Sequence, residues 1–208
     1  MISTAYELAS WSDGRLLLGC DEAGYGCIAG SMFVAGVVFD KDFDFKELAT
    51  LNDSKALTEK KRFYLEGIIR KSALHFFCKE VSASEIDAGR PYHLRFDVAK
   101  AEIEKIQFIS SLDVIMDGNV SVALPSAHSS KCLVKGDGKC LSIAAASVLA
   151  KCAKDRQMLF LHKEFPVYGW DGNKGYESSG HREAILKHGL SPHHRRSYCK
   201  KYLGGICI

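Results

Sequence analysis

The sequence predicts an α/β fold: a mixed β-sheet flanked by helices, with a small helical C-terminal region. Three observations lead there. Two neighbouring apolar runs, 16–20 and 31–39, read as a strand pair; later apolar runs alternate with segments of helical periodicity; and carboxylates stand where predicted strands end. Open α/β sheets place their sites at strand ends, so those acids are the first candidates for function.

Leu16-Leu17-Leu18-Gly19-Cys20 forms the first strand. Residues 31–39, Ser-Met-Phe-Val-Ala-Gly-Val-Val-Phe, are nearly all apolar, as suits a strand covered on both faces, and Asp40-Lys41-Asp42 ends it. The two runs make a hairpin. Thr58 stands as the cap of a helix with a core stripe of Leu65, Ile68, Ile69 and Ala73, and with Lys60, Lys61 and Arg62 on its wet side. A strand over 74–81 follows. Pro91 opens a helix expected to run to about residue 107, with Leu94, Val98, Ala101 and Ile106 near one face.

That helix leads into the strand Leu112-Asp113-Val114-Ile115-Met116, closed by Asp117 and Gly118. A short strand, Cys132-Leu133-Val134, precedes Lys135-Gly136-Asp137-Gly138-Lys139. Leu141 to Glu164 then reads as an Ala-rich helix, with Ile143, Ala146, Leu149, Ala150 and Ala153 at helical spacing. Beyond Pro166 come a Gly-rich loop, 168–175, and a helix from Ser179 to His188 stopped by Gly189. The expected organisation is a main domain, 1–165, and a C-terminal extension, 166–208, forming one compact unit.

The 208 residues, 47% hydrophobic, suffice for one full core. A formal charge of +3 is modest, but 193–201 reads His-His-Arg-Arg-Ser-Tyr-Cys-Lys-Lys without an acid, a patch that favours a polyanion. Eight cysteines lack Cys-x-x-Cys or zinc spacing, and Cys20, Cys78 and Cys152 lie in apolar runs, so reduced structural thiols are expected. No stretch approaches the roughly 18 apolar residues of a membrane helix. The N-terminus carries Glu7 and Asp13 with no basic region ahead of an apolar stretch, so a cytoplasmic protein is expected.

Asp21 and Glu22 sit at the end of the first strand, just before the turn Gly24-Tyr25-Gly26. Adjacent carboxylates repel each other unless a cation or proton relieves them, and hard divalent cations take oxygen ligands of this kind. With Asp117 and Asp137 there are four acids from three segments, candidates to converge on one pair of metal ions.

These residues belong to motifs that together resemble those of ribonuclease HII, the type 2 ribonuclease H of bacteria, in the RNase H-like superfamily. The motifs are Gly19-Cys20-Asp21-Glu22-Ala23-Gly24, Asn52-Asp53-Ser54-Lys55, Asp117-Gly118 and Lys135-Gly136-Asp137. They continue with Ser142-Ile143-Ala144-Ala145-Ala146-Ser147, Asp155-Arg156, Lys174-Gly175-Tyr176 and Ser191-Pro192-His193-His194-Arg195-Arg196-Ser197, so the match runs almost end to end.

The resemblance implies an RNase H-like sheet and an endonuclease of ribonucleotide excision repair. Such an enzyme cuts the RNA strand of RNA/DNA hybrids and nicks 5′ of ribonucleotides embedded in duplex DNA, leaving 3′-hydroxyl and 5′-phosphate ends. It implies two Mg²⁺ or Mn²⁺ ions held by Asp21, Glu22, Asp117 and Asp137, and a protein acting as a monomer away from membranes. By the same resemblance Gly24, Tyr25 and Gly26 read the ribose 2′-hydroxyl, Tyr176 packs on the next sugar, and Ser54, Lys55 and Lys174 contact phosphates, with Arg195 and Arg196 extending that track. One departure stands out: Tyr25 occupies the place where the family usually has Arg. A second reading follows from it, a hybrid-binding protein of weakened catalysis.

Overall fold

Along the chain run α1 (Ala5–Ser12), β1 (Leu16–Ala23), β2 (Met32–Val38), α2 (Glu59–Ser72), β3 (His75–Val81), α3 (Ala83–Ala88) and α4 (Pro91–Ile103). They continue as β4 (Leu112–Asp117), β5 (Ser129–Leu133), α5 (Leu141–Glu164), α6 (Trp170–Asn173), α7 (Ser179–His188) and α8 (Arg196–Cys199). The structure, a computed structural model, describes residues 2–51, 57–89, 91–106, 109 and 111–202. The strands form one mixed sheet in the order β3-β2-β1-β4-β5. β1 pairs antiparallel with β2 and parallel with β4; β2–β3 is antiparallel and β4–β5 parallel.

Strand alternation divides the core into two layers. Phe33, Ala35 and Val37 of β2 meet α2 and α5 on one face, through Leu65, Ile69, Ala145 and Leu149. Met32, Val34 and Val38 meet the opposite layer, with Phe96, Ala99 and Ile103 of α4. β1 follows the same rule: Leu18 and Cys20 join the α4 layer, while Leu17 packs on Ile143 of α5. Each fully buried Leu or Val contributes about 1.5–3 kcal/mol.

Residues 141–150 of α5 are all buried. Their alanines let the helix lie close on the sheet, closest at Gly19, where a Cβ would overlap the Ile143 amide nitrogen and the Ser142 carbonyl carbon. The last layer is C-terminal. Tyr168, Trp170, Ala184, Ile185 and Cys199 pack on Met158 and Leu161 of α5 and on Ile28 and Ala29.

Several expectations are corrected. Of the expected stripe, Leu94 and Val98 pack on the core and Ile106 is buried, but Ala101 is exposed, and Phe96, Ala99 and Ile103 form the most buried face of α4, which stops at Ile103. β5 begins at Ser129 and ends before Val134. α6 forms inside the Gly-rich segment, and α1 and α3 join the expected helices, α3 through a capping box between Ser82 and Glu85. Arg62 is buried, since it lies one turn before Leu65 on the face that α2 turns inward. The seven described cysteines are free thiols, and Cys207 lies outside the described residues.

Candidate active site

Near its end, at Ala23, β1 carries Asp21 and Glu22, whose side chains leave opposite faces of the sheet. Asp21 shares the α5 side and hydrogen-bonds to the Ser147 side chain. Glu22 points to the α4 side, where its Oε1 accepts from Arg95 Nη1 at 2.9 Å. Because β4 runs parallel beside β1, Asp117 arrives at the same end of the sheet. Asp117 Oδ1 accepts the Gly136 amide at 2.6 Å, and this bond ties the turn carrying Asp137 to the strand end. Lys135 enters that turn in the left-handed region, φ 57°.

All four acids line one cavity of about 650 Å³, with Gly24, Tyr25, Gly26, Arg62, Ser147, Lys151 and Tyr176. Burial, then the charges of Glu22 and Asp117, hold the Asp21 carboxyl well above the ordinary carboxylate range, against the lowering bond from Ser147. Such crowding is what a bound cation relieves. The donors are all carboxylate oxygens, as divalent metals of the Mg²⁺ class require, so the residues fit such ions. Among the described residues no group of three or more His, Cys, Asp or Glu stands together as a ready cluster. Glu22 is engaged by Arg95 and Asp117 by the Gly136 amide.

The cavity also carries cations. Asp155 of α5, buried, accepts from Arg62 Nη2 at 3.1 Å and from Lys151 Nζ at 2.7 Å, and so aims both residues. Arg62 additionally donates to the Leu57 carbonyl at 2.6 Å. Behind them Lys154 is wholly buried, its ammonium 4.3 Å from the Tyr176 ring centre. Desolvation pulls its pKa down to about 8.

The Gly-Tyr-Gly turn is held from the C-terminal region. Arg195, fully buried, donates through Nη1 to the Tyr25 carbonyl at 2.8 Å and through Nε to the Gly30 carbonyl at 3.0 Å. Gly24 has φ 90°, and a Cβ there would come within 2.8 Å of the Ser31 carbonyl oxygen. The Gly175 carbonyl accepts the amides of Ile28 and Ala29, at 2.9 and 3.2 Å, which joins the Tyr176 loop to this turn.

Beneath that loop two buried histidines have determined tautomers. Trp170 Nε1–H donates to His181 Nε2 at 3.0 Å, so the His181 proton is on Nδ1 and donates to the Tyr176 carbonyl at 2.9 Å. His194 Nδ1 accepts the Ser191 amide at 2.9 Å, which leaves its proton on Nε2, 3.0 Å from His181 Nε2, where it shares that nitrogen's single lone pair with Trp170. Burial, with His181 beside it, pushes His194 down to about 3.

Of the residues expected from the sequence, Asp21, Glu22, Asp117, Asp137, Gly24, Tyr25, Gly26 and Tyr176 meet in the cavity. Lys174 pairs with Glu59 at 3.5 Å, and the exposed Arg196 gives its backbone amide to Asp87 at 2.7 Å. Arg195 is corrected from an outward cation to a brace of the turn, because its guanidinium is enclosed among backbone carbonyls. Ser54 and Lys55 lie outside the described residues. Arg62, Lys151 and Arg95 were missed. Arg62 was visible in its spacing, three and seven residues before Leu65 and Ile69, and Lys151 follows Ser147 by one helical turn.

The family model described as ribonuclease HII matches residues 18–201. Curated ribonucleases HII are similar in sequence. The one from Parabacteroides distasonis is 43% identical over 185 residues, covering 89% of this chain and 90% of the relative. The one from Bacteroides thetaiotaomicron is 44% identical over 180 residues, covering 86% and 88%. Among solved structures, ribonuclease H2 from Pyrococcus horikoshii superposes with a TM-score of 0.73 at 22% identity, over 90% of this chain and 97% of that one. Bst-RNase HIII in complex with Mn²⁺ gives 0.73 at 16% identity, over 91% and 69%. These two show the fold, which is the RNase H-like mixed sheet.

Proposed function

The chain belongs to the ribonuclease HII family, and from that premise we propose that it hydrolyses the RNA strand of RNA/DNA hybrids and nicks 5′ of ribonucleotides embedded in duplex DNA. The products are 3′-hydroxyl and 5′-phosphate ends. One observation carries this reading beyond family membership: four carboxylates from three separate segments line a single cavity whose other wall is basic.

Asp21, Glu22, Asp117 and Asp137 would hold two divalent ions, Mg²⁺ or Mn²⁺. Such ions, when bound, supply the Lewis acidity that activates water and stabilises the departing 3′ oxygen. The chain's own residues do the rest. Ser147 orients Asp21; the Gly136 amide orients Asp117 and places Asp137. Arg62 and Lys151, aimed by Asp155, neutralise phosphates next to the scissile one. The turn at Gly24-Tyr25-Gly26 brings backbone groups to the ribose 2′-hydroxyl, and Tyr176, 41% exposed, offers its ring to the neighbouring sugar. Lys55, Ser54, Lys174 and Arg196 complete the phosphate track by family resemblance.

One chain contains every residue invoked, so the proposed acting unit is the monomer. No helix among the described residues is long and apolar enough to cross a membrane. The hybrid-binding alternative is not favoured, because all four acids are retained and line the same cavity. Cleavage of two labelled duplexes, uniform RNA/DNA and DNA with one ribonucleotide, tests the proposal with Mg²⁺ or Mn²⁺. Metal-dependent 5′-side nicking by the wild type, absent in Asp137→Asn, is expected; equal nicking by both proteins overturns the assignment.

A further inference from the structure

Arg95 of α4 is 8% exposed and sits against three aromatic rings, its guanidinium carbon 4.6 Å from the Phe96 centroid, 4.8 Å from that of Tyr92 and 5.9 Å from that of Tyr25. Its one ion pair among the described residues is with Glu22, 2.9 Å from Nη1 to Oε1. Nε is buried without a hydrogen-bond partner, and Nη2 faces Gly118, the residue after Asp117. A guanidinium is therefore wedged between the ends of β1 and β4, touching one candidate metal ligand and standing beside a second.

This arrangement limits what Glu22 can do. If its carboxylate left for a metal with both oxygens, Arg95 would lose its one ion-pair partner and, largely buried, keep only its cation–π contacts, at a cost. Alternation along β1 adds to the restriction, because Glu22 leaves the sheet on the α4 side, away from Asp21 and Ser147. We propose that Arg95 is a positioning residue that retains one carboxylate oxygen of Glu22 and presents the other to the divalent ion. The inference rests on the metal-dependent reading of the cavity. Arg95 thereby sets both the geometry of Glu22 and the strength of its pull on the ion: the guanidinium orients the carboxylate and withdraws part of its charge.

The two effects separate in one experiment. Mn²⁺ binding is measured by calorimetry without nucleic acid, and turnover is measured on the single-ribonucleotide duplex, for wild type, Arg95→Leu and Arg95→Lys. Removing the positive charge in Arg95→Leu is expected to tighten Mn²⁺ binding by about fivefold or more, while turnover falls by about tenfold or more as Glu22 loses its orientation. Arg95→Lys, with the charge but not the fork, should bind Mn²⁺ as the wild type does and turn over more slowly. In a Glu22→Gln background Arg95→Leu should tighten Mn²⁺ binding by less than it does with Glu22 present, the difference being the part that acts through Glu22.

Mn²⁺ binding in Arg95→Leu that is unchanged or weaker overturns the proposal, as does wild-type turnover in either variant. If Arg95→Leu does not fold, the turnover of Arg95→Lys decides. A wild type that binds Mn²⁺ in an Arg95-dependent way but cuts neither duplex defeats the proposed function and leaves this inference standing. A wild type that cuts normally and is indifferent to Arg95 does the reverse.

Discussion

Glu7 of α1 caps α5: its Oε1 accepts the Ser142 amide at 2.8 Å and the Ser142 hydroxyl at 2.9 Å. Cys140, the residue at the helix cap, supplies no side-chain acceptor of its own. A carboxylate from another part of the chain thus satisfies the start of the helix that carries Ser147 and Lys151 into the cavity. Glu7 is itself 1% exposed, and these donors satisfy its Oε1 inside the fold.

Replacing Glu7 by Ala leaves the Ser142 amide buried and unbonded. A loss of about 2–3 kcal/mol is expected, read as a lower urea midpoint with an unchanged slope. A midpoint equal to that of the wild type would show that α5 does not need the cap.

Asp21→Asn should separate activity from stability. Burial and the nearby charges of Glu22 and Asp117 already favour the uncharged form of Asp21, so an amide suits the folded state. The variant is expected to melt at or above the wild-type temperature while turnover drops by about a thousandfold or more, the loss of a charged ligand. Added Mg²⁺ should raise the wild-type melting temperature more than that of the variant. A metal-induced rise equal in both proteins would remove Asp21 from the ligand set.

Tyr25→Arg addresses the altered turn. The backbone there is held by Arg195 through the Tyr25 carbonyl, so the substitution leaves the turn intact and adds a guanidinium able to grip a phosphate in two places. Cleavage at a single embedded ribonucleotide should rise more than cleavage of a uniform hybrid, several-fold by comparison of kcat/KM. Equal gains on both substrates would contradict this.

The histidine pair gives the fold an acid limit. His194 is held down to about 3 and His181 is lowered as well, both first by burial, whereas an unfolded histidine titrates near 6.5. As the pH falls below about 6.5 the unfolded chain takes up protons that the folded pair refuses, so stability falls with pH. Between pH 7.5 and 5 the loss is about 2 kcal/mol from His194 alone, measurable as a shift in urea midpoint. A His194→Phe protein, less stable at pH 7.5, should show a smaller shift over the same interval.

The layout of this site was legible where local chemistry fixes it. Apolar runs marked β1, β2 and β4, Thr58 capped α2 as its side chain suggested, and the strand-end acids and the Gly-rich turn stood out by type. The charged side chains that face inward were not legible, because a lone Arg or Lys in a sequence reads as solvent-exposed. Arg62 and Lys151 are drawn inward by Asp155, and Arg95 by Glu22, partners separated from them in sequence except for Lys151. α1 escaped notice because it is a short helix whose buried residues include polar Glu7 and Ser10. Their partners, Ser142 and Asp113, come from far down the chain.

The parallel register of β1 and β4 sets Cys20 opposite Met116, with close to half the chain between them. Closing so long a loop costs entropy before any contact repays it, and pairings of this kind slow folding. Asp21 and Glu22 are synthesised early, yet they have no Asp117 or Asp137 beside them until that pairing and the turn after β5 have formed. On the proposed assignment of these acids, refolding should return activity only after β1 and β4 have paired, which cleavage and circular dichroism followed together would check; activity that precedes the sheet would contradict it.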